Sequence, residues 1–451
     1  METGIGRHMV NLRVVILALL VLAGNALFGC GSHTDQGSVR GPVVLVRNAS
    51  IGYTQLAMNS RGDALVSWRQ SNGSAETIHA TYSRAAGTWD GNKPVSINRS
   101  LSHRSAVSED GDGFVVWQDY AGGSYSIRSN HHTPGADWDG EVPAETHTSA
   151  DAIEPWIATS PTGTTFVVWR QYNGSTFEVR VNQSAPGAGW GTPELLASLV
   201  GGYTLSPSIA VDPSGDAIAV WIELLNTSYS IHAKRYQAGS GWDTASTVIG
   251  TPGYPFEPHI GMDNSGNAIV IWGFADNGNH GVQTNRYEVG TGWTGPGTII
   301  ELPDTVGSIY EPQIAVASDG TAFVAWEQSD GSKYNIWADH YAPGQGWTGS
   351  PVMVSDSTEN SQSPQVAVDA KGHGVVAWRQ IPVQSKSVWA AYFMANAGWS
   401  TAKRISEADD TGVPQNVNAG MDSNGNALVV WDAYNSATQD VTIWACRIKR
   451  P

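Results

Sequence analysis

The stretch Ser206-Pro207-Ser208-Ile209-Ala210-Val211, Asp212-Pro213-Ser214-Gly215, Asp216-Ala217-Ile218-Ala219-Val220-Trp221 reads as strand, turn, strand. Apolar and small residues alternate on either side of an Asp-Pro-Ser-Gly turn, and the β-branched and aromatic residues favour a pleated, half-buried surface. Outward from it, Leu225-Asn226-Thr227-Ser228 is a polar loop and Ser230-Ile231-His232-Ala233-Lys234-Arg235-Tyr236 is a third strand. Gly239-Ser240-Gly241 is another turn, and Trp242 to Ile249 is a fourth strand. After residue 40 no segment carries a 3.6-residue apolar period, so helices are not expected.

The same unit recurs. A Trp ending a second strand stands at 68, 117, 169, 221, 272, 326, 378 and 431, with spacings of 49 to 54 residues. In the first seven units a Gly-Trp or equivalent follows 21 residues later, at Trp89, Trp138, Trp190, Trp242, Trp293, Trp347 and Trp399. Fifteen of the 19 Trp are therefore repeat positions, which makes internal repetition the dominant fact of the sequence. Four strands repeated eight times predict an all-β, eight-bladed β-propeller of four-stranded blades. A lone four-stranded sheet leaves both faces wet, whereas stacking blades in a ring buries them, and the repeated Trp suit the wedge between neighbours. The eighth unit ends at Pro451 without a fourth strand, while Gly41-Pro42-Val43-Val44-Leu45-Val46-Arg47-Asn48 is an unpaired strand at the other end. The N-terminal strand is thus expected to complete the last blade and close the ring, giving one domain over 41–451.

Ahead of it, Arg13 precedes an apolar run from Val14 to Leu22, too short for the ~20 residues a bilayer span needs. Residues 1–29 read as a secretory signal, with Met9 as an alternative start. Leu27-Phe28-Gly29-Cys30 resembles the bacterial lipobox, which implies lipidation of Cys30, a short tether over 30–40 and a place in the bacterial cell envelope. Gly31 rather than Asp after that cysteine implies the outer membrane, facing the periplasm or the outside. Only Cys30 and Cys446 are present; with Cys30 acylated, Cys446 is expected to be a buried, inert thiol.

Lys and Arg number 25 against 41 Asp and Glu, a formal charge of −16 over 451 residues, which argues against nucleic acid as a partner. The repeats, with their grammar Pro-x-Ile-Ala-x-Asp-x-x-Gly-x-Ala-x-x-Val-Trp, resemble those of bacterial surface and periplasmic propeller lipoproteins. They are distantly similar to Asp-box sialidase and lectin propellers, although Trp272 stands six residues after Gly266 where the Asp-box has three. These resemblances imply fold more than chemistry.

The site is expected where first strands start and second strands end, on one face near the channel. The first ring there is Tyr53, Ser102, Glu154, Ser206, Glu257, Glu311, Ser363 and Asn416. Two residues on stand Gln55, Arg104, Trp156, Ser208, His259, Gln313, Gln365 and Asn418. The residues after each Val-Trp are Arg69, Gln118, Arg170, Ile222, Gly273, Glu327, Arg379 and Asp432. Because the repeat leaves these identities free while it holds turns and core constant, they are the tailored positions. Glu154, Trp156, Glu257, His259, Glu311, Arg69, Arg170 and Arg379 are the ligand-binding candidates, with Trp156 as a platform for a sugar ring. The Asp turns and His131-His132 lack metal-ligand spacing, and no cofactor fingerprint occurs. A binding module for a glycan or an envelope protein is the leading expectation. A glycoside hydrolase or polysaccharide lyase using Glu154, Glu257 and Glu311, or an envelope assembly scaffold, are the alternatives.

Overall fold

The computed structural model describes residues 42–451 apart from 49, 72, 86, 147–149, 252, 277–278, 296, 301–306, 357, 382–385 and 407–411. Residues 1–29 and Cys30 lie outside the described residues. Eight antiparallel sheets follow one another round an axis, and no helix occurs among the described residues. Blade 4 shows the pattern: Gly202–Val211 is innermost, followed outward by Ala217–Leu225, Ser228–Gln237 and a fourth strand in two pieces, Gly241–Trp242 and Thr247–Gly250. The fourth strand is shorter and more broken than its sequence suggests, with polar Asp243, Thr244 and Ser246 interrupting it; in blades 1 and 2 its last pairing residue is a proline, Pro94 and Pro143. An outer edge broken in this way is a poor template for pairing with another chain.

The ring closes as expected. Val43–Asn48 pairs antiparallel with Asp440–Ile448 and so supplies the outer strand of blade 8. The core is eight inter-blade layers. Trp117 packs on Leu65, Ile78, Ala80 and Val95 of blade 1, and Trp221 on Phe166, Val168, Val179 and Val181 of blade 3. Across the closure, Trp68 meets Leu428, Val430, Ile443 and Ala445 of blade 8. All eight such Trp are at most 1% exposed. Each buries ~150–250 Å², so the wedge between blades is filled largely by one side chain.

The turn joining first and second strands repeats as well. Asp212, Asp263, Asp369 and Asp422 each accept two backbone N–H groups from their own turn, at 2.8–3.0 Å. The turn glycine has φ between 75° and 92° in all eight blades, from Gly62 to Gly425, which only glycine adopts without strain. These carboxylates are spent on turn geometry, and no cluster of three potential metal ligands occurs among the described residues. Cys446 is fully buried in blade 8 and is disulfide-bonded, which corrects the expectation of an inert thiol; the other half of that bond lies outside the described residues.

Candidate functional site

Every innermost strand carries one extra residue against its partner near the start, a β-bulge repeated eight times. In seven blades the bulge holds a non-glycine residue at φ 42° to 57°: Tyr53, Glu154, Ser206, Glu257, Glu311, Ser363 and Asn416. A proline follows in five of them, Pro155, Pro207, Pro258, Pro312 and Pro364, where the interrupted ladder has no use for an N–H. Left-handed backbone costs such a residue ~1–2 kcal/mol. The bulge re-aims its side chain, and here seven blades do so at the same level of the axis.

The result is a cavity of about 600 Å³ at the channel mouth, to which all eight blades contribute. Its wall holds the bulge residues Ser102, Glu154, Ser206, Glu257, Glu311, Ser363 and Asn416. Gln55, Arg104, Trp156, His259, Gln313, Gln365 and Asn418 stand one layer deeper, and Arg379 joins from blade 7. The first two rings read from the sequence therefore meet in one place, with Tyr53 and Ser208 as exceptions. Tyr53 is exposed outside the cavity, beneath the Arg69 guanidinium at 3.8 Å, and Ser208 is buried behind the wall.

One side of the mouth is acidic. Glu257 is open to solvent yet walled in by the channel; that confinement first, then the charge of Glu311, pushes its carboxyl up to about 7. Glu327 lies behind Glu311 and is only 5% exposed. Burial first, and then Glu311, push it up to about 7 as well, against the N–H of Ser363 at 3.2 Å and the nearby Arg379. Glu154 is separate: it takes a 2.8 Å ion pair from Arg170, so its charge is already answered.

The floor is a stack. The Arg104 guanidinium lies 4.8 Å from the centre of the Trp156 ring, and the His259 ring lies 5.1 Å from it, tilted by 48°. Trp156 on blade 3 thus meets His259 on blade 5, two blades on. Burial and then the Arg104 charge hold His259 down to about 4, so the imidazole is neutral at ordinary pH. Trp156 lines the cavity half-buried, within a cation–π and aromatic stack that shapes the floor.

The third ring is mostly not at the cavity. Of its members only Arg379 lines the wall. Arg170 is 8% exposed beneath Glu154, and Gln118, Ile222 and Asp432 are buried too. Gly273 leaves the space that Phe256 occupies, where an added Cβ would lie 2.1 Å from the Phe256 ring. Arg69, Arg170 and Arg379 have separate partners, Tyr53 with Glu76, Glu154, and Gln362, so they form no arginine cluster. Trp337, Trp389 and Trp444 stand cross-strand from the core Trp326, Trp378 and Trp431 and pack with them. His131 is bound to Asp139 at 2.7 Å and His132 packs between Tyr82 and Trp138, which accounts for that pair without a metal. Glu327 was not among the sequence candidates. Its signal was there, as the sole Glu among the eight residues that follow the core Trp, but its burial comes from Gln362 and Ser363 of the next blade, which no local motif announces.

No family model matches the chain, and no curated protein sequence matches it either. Solved structures do. An ulvan lyase of a new polysaccharide lyase family, bound to –[GlcA(1-4)Rha3S]–, is 10% identical with a TM-score of 0.51, covering 90% of this chain and 96% of its own. The Aleuria aurantia lectin is 14% identical over 69% of this chain and 97% of its own, with a TM-score of 0.38. The NanB sialidase of Streptococcus pneumoniae is 9% identical over 90% of this chain and 94% of its own, also at 0.38. At 10% identity the likeness to the ulvan lyase is one of fold alone.

Proposed function

We propose that this protein is a carbohydrate-binding propeller of the bacterial cell envelope, with its axial cavity as the sugar site. The observation that carries the reading is the cavity wall: hydroxyl, amide and carboxyl groups from eight blades converge on one space of a volume usual for ligand sites. A polyhydroxylated ligand is the chemistry that satisfies many convergent donors and acceptors at once. The ulvan lyase, a structure of the same fold with a bound saccharide, supports it. The test is a glycan array probed with the full chain and with the Glu257→Gln and Gln313→Ala variants. Selective binding weakened in both variants supports the reading, and a folded protein that binds no glycan ends it.

A second reading rests on Glu257. A carboxyl that keeps its proton near neutrality beside a second carboxylate, Glu311, is suited to general-acid work in glycoside cleavage. Incubation with bound glycans and measurement of reducing ends or unsaturated products separates this from binding alone.

Envelope location rests on the signal-like segment and the lipobox-like Cys30. Acylation of Cys30 uses its sulfur, and so would pairing with Cys446; the chain has no third cysteine, so the two fates exclude each other. The intact mass of protein from membranes decides: a lipid-sized increment supports the anchor, and the bare mass with no reactive thiol supports a disulfide in its place.

A further inference from the structure

The tyrosines are unevenly distributed. Seven are exposed, between 37% and 57%, and all seven lie on the cavity face. Tyr53, Tyr203, Tyr254 and Tyr310 stand at first-strand starts, and Tyr120, Tyr172 and Tyr434 at second-strand ends. Three more, Tyr125, Tyr229 and Tyr334, are half-buried at third-strand starts on the same face. The remaining five of the 15 sit at third-strand ends near the opposite face, where Tyr82, Tyr341 and Tyr392 are buried. The turns of that opposite face present Ser60, Arg61, Glu109 and Lys371 instead.

Scattered exposed aromatics need no explanation, but these are ordered. Tyr120 packs on Tyr125 at 5.0 Å, Tyr172 on Phe177 at 5.4 Å, and Tyr310 on Tyr334 at 5.9 Å. Tyr229 of blade 4 meets Tyr254 of blade 5 at 5.0 Å, so one pair bridges two blades. Four of the seven exposed rings, those of Tyr120, Tyr172, Tyr254 and Tyr310, are thereby propped against an aromatic neighbour and lose little freedom on binding. Among the described residues the tyrosines form an arc over blades 8, 1, 2, 3, 4, 5 and 6, with a gap at blade 7.

We infer that this tyrosine arc is an extended binding track for an uncharged polysaccharide, whose sugar rings lie against the tyrosines while one unit enters the axial cavity. The inference rests on the carbohydrate reading and adds the ligand class. Tyrosine offers an apolar face for the C–H side of a sugar ring and a hydroxyl for its edge, and it suits a boundary that is wet at one end. A purely apolar partner surface would be met by Leu, Ile or Phe, and among the exposed large side chains of this inner rim Tyr dominates. The formal charge of −16 disfavours polyanionic chains, and that selects neutral ones.

The test uses the full chain in native gels containing a β-glucan, a xylan or a mannan, with polygalacturonate as the anionic comparison. Titrations follow with the matching oligosaccharides, from single sugars to octamers. The expected result is retardation by a neutral polymer and affinity that rises with chain length. The double variant Tyr254→Ser/Tyr310→Ser, at exposed positions, is expected to bind the polymer at least about tenfold more weakly while single-sugar affinity stays the same. Nitration of arc tyrosines, mapped by mass spectrometry, is expected to be blocked by the polymer. Circular dichroism checks that the variant is folded. Affinity independent of length, or a folded variant that binds like wild type, overturns the track and leaves the cavity reading standing. Preference for polygalacturonate overturns the neutral class. Failure to bind any glycan ends both readings, and protection of the arc by an envelope protein but by no polymer replaces the track with a protein-docking face.

Discussion

Replacing Glu327 by Gln tests whether a buried carboxylate beside the cavity is held against its preference. Glu327 is 5% exposed, accepts the Ser363 N–H at 3.2 Å and the Gln362 amide at 3.5 Å, and has the Glu311 charge nearby. Burial, chiefly, raises it from its usual 4.5 to about 7. An acid raised by folding takes up a proton as the chain folds between those two values. Its contribution is therefore present in full below pH 4.5 and is lost as pH climbs through 7. At 1.36 kcal/mol per pH unit, with some relief from water in the adjoining cavity, the loss is about 2–3 kcal/mol. Gln carries no such penalty but presents an NH₂ where one oxygen accepted, at a cost of ~1 kcal/mol. Glu327→Gln should then be about 1 kcal/mol less stable than wild type at pH 4.5 and about 1–2 kcal/mol more stable at pH 8.5, with the curves crossing between. Denaturant unfolding followed by tryptophan fluorescence, run on both proteins across that range, measures it. Parallel stability–pH curves would refute the reasoning, since every other titrating group is common to both proteins.

Trp221→Ala empties the wedge between blades 3 and 4 and should cost ~3–5 kcal/mol in the same assay; near-wild-type stability would mean the blades are held by something else. Deleting Val43–Asn48 leaves the edge Asp440–Ile448 unpaired, so association in gel filtration and early protease cuts in blade 8 are expected. A monomeric deletion variant with an unchanged unfolding midpoint would show that closure carries no stability. At Ser206, φ is 47°, so Ser206→Gly should stay within ~1 kcal/mol of wild type while Ser206→Ile loses more. Equal stabilities would deny that the bulge is strained.

Fold and site were legible to different depths. The eight Trp at near-constant spacing, the Asp-x-x-Gly turns and the strand left over at Val43–Asn48 each act through neighbours in the chain or through one repeated contact. Local propensity and a repeat therefore suffice to announce eight blades and their closure. The bulges also leave a trace, in the Pro that follows Glu154, Ser206, Glu257, Glu311 and Ser363, while it is the strand connections that put the first ring at the mouth. What the ring does chemically depends on which side chains meet across the axis, and those are separated by one or more whole blades. Arg104, Trp156 and His259 come from blades 2, 3 and 5, and only closure brings them into one stack. Glu257, Glu311 and Glu327 depart from ordinary carboxylates because the closed channel confines them together. The tyrosine arc is likewise invisible residue by residue, since its members occupy different strand positions in different blades and share only a face of the finished disc. The sequence by itself thus determined the repeated local geometry. Tertiary structure alone decided the charges, the stack and the arc, because each depends on groups of different blades, which meet only when the blades pack side by side.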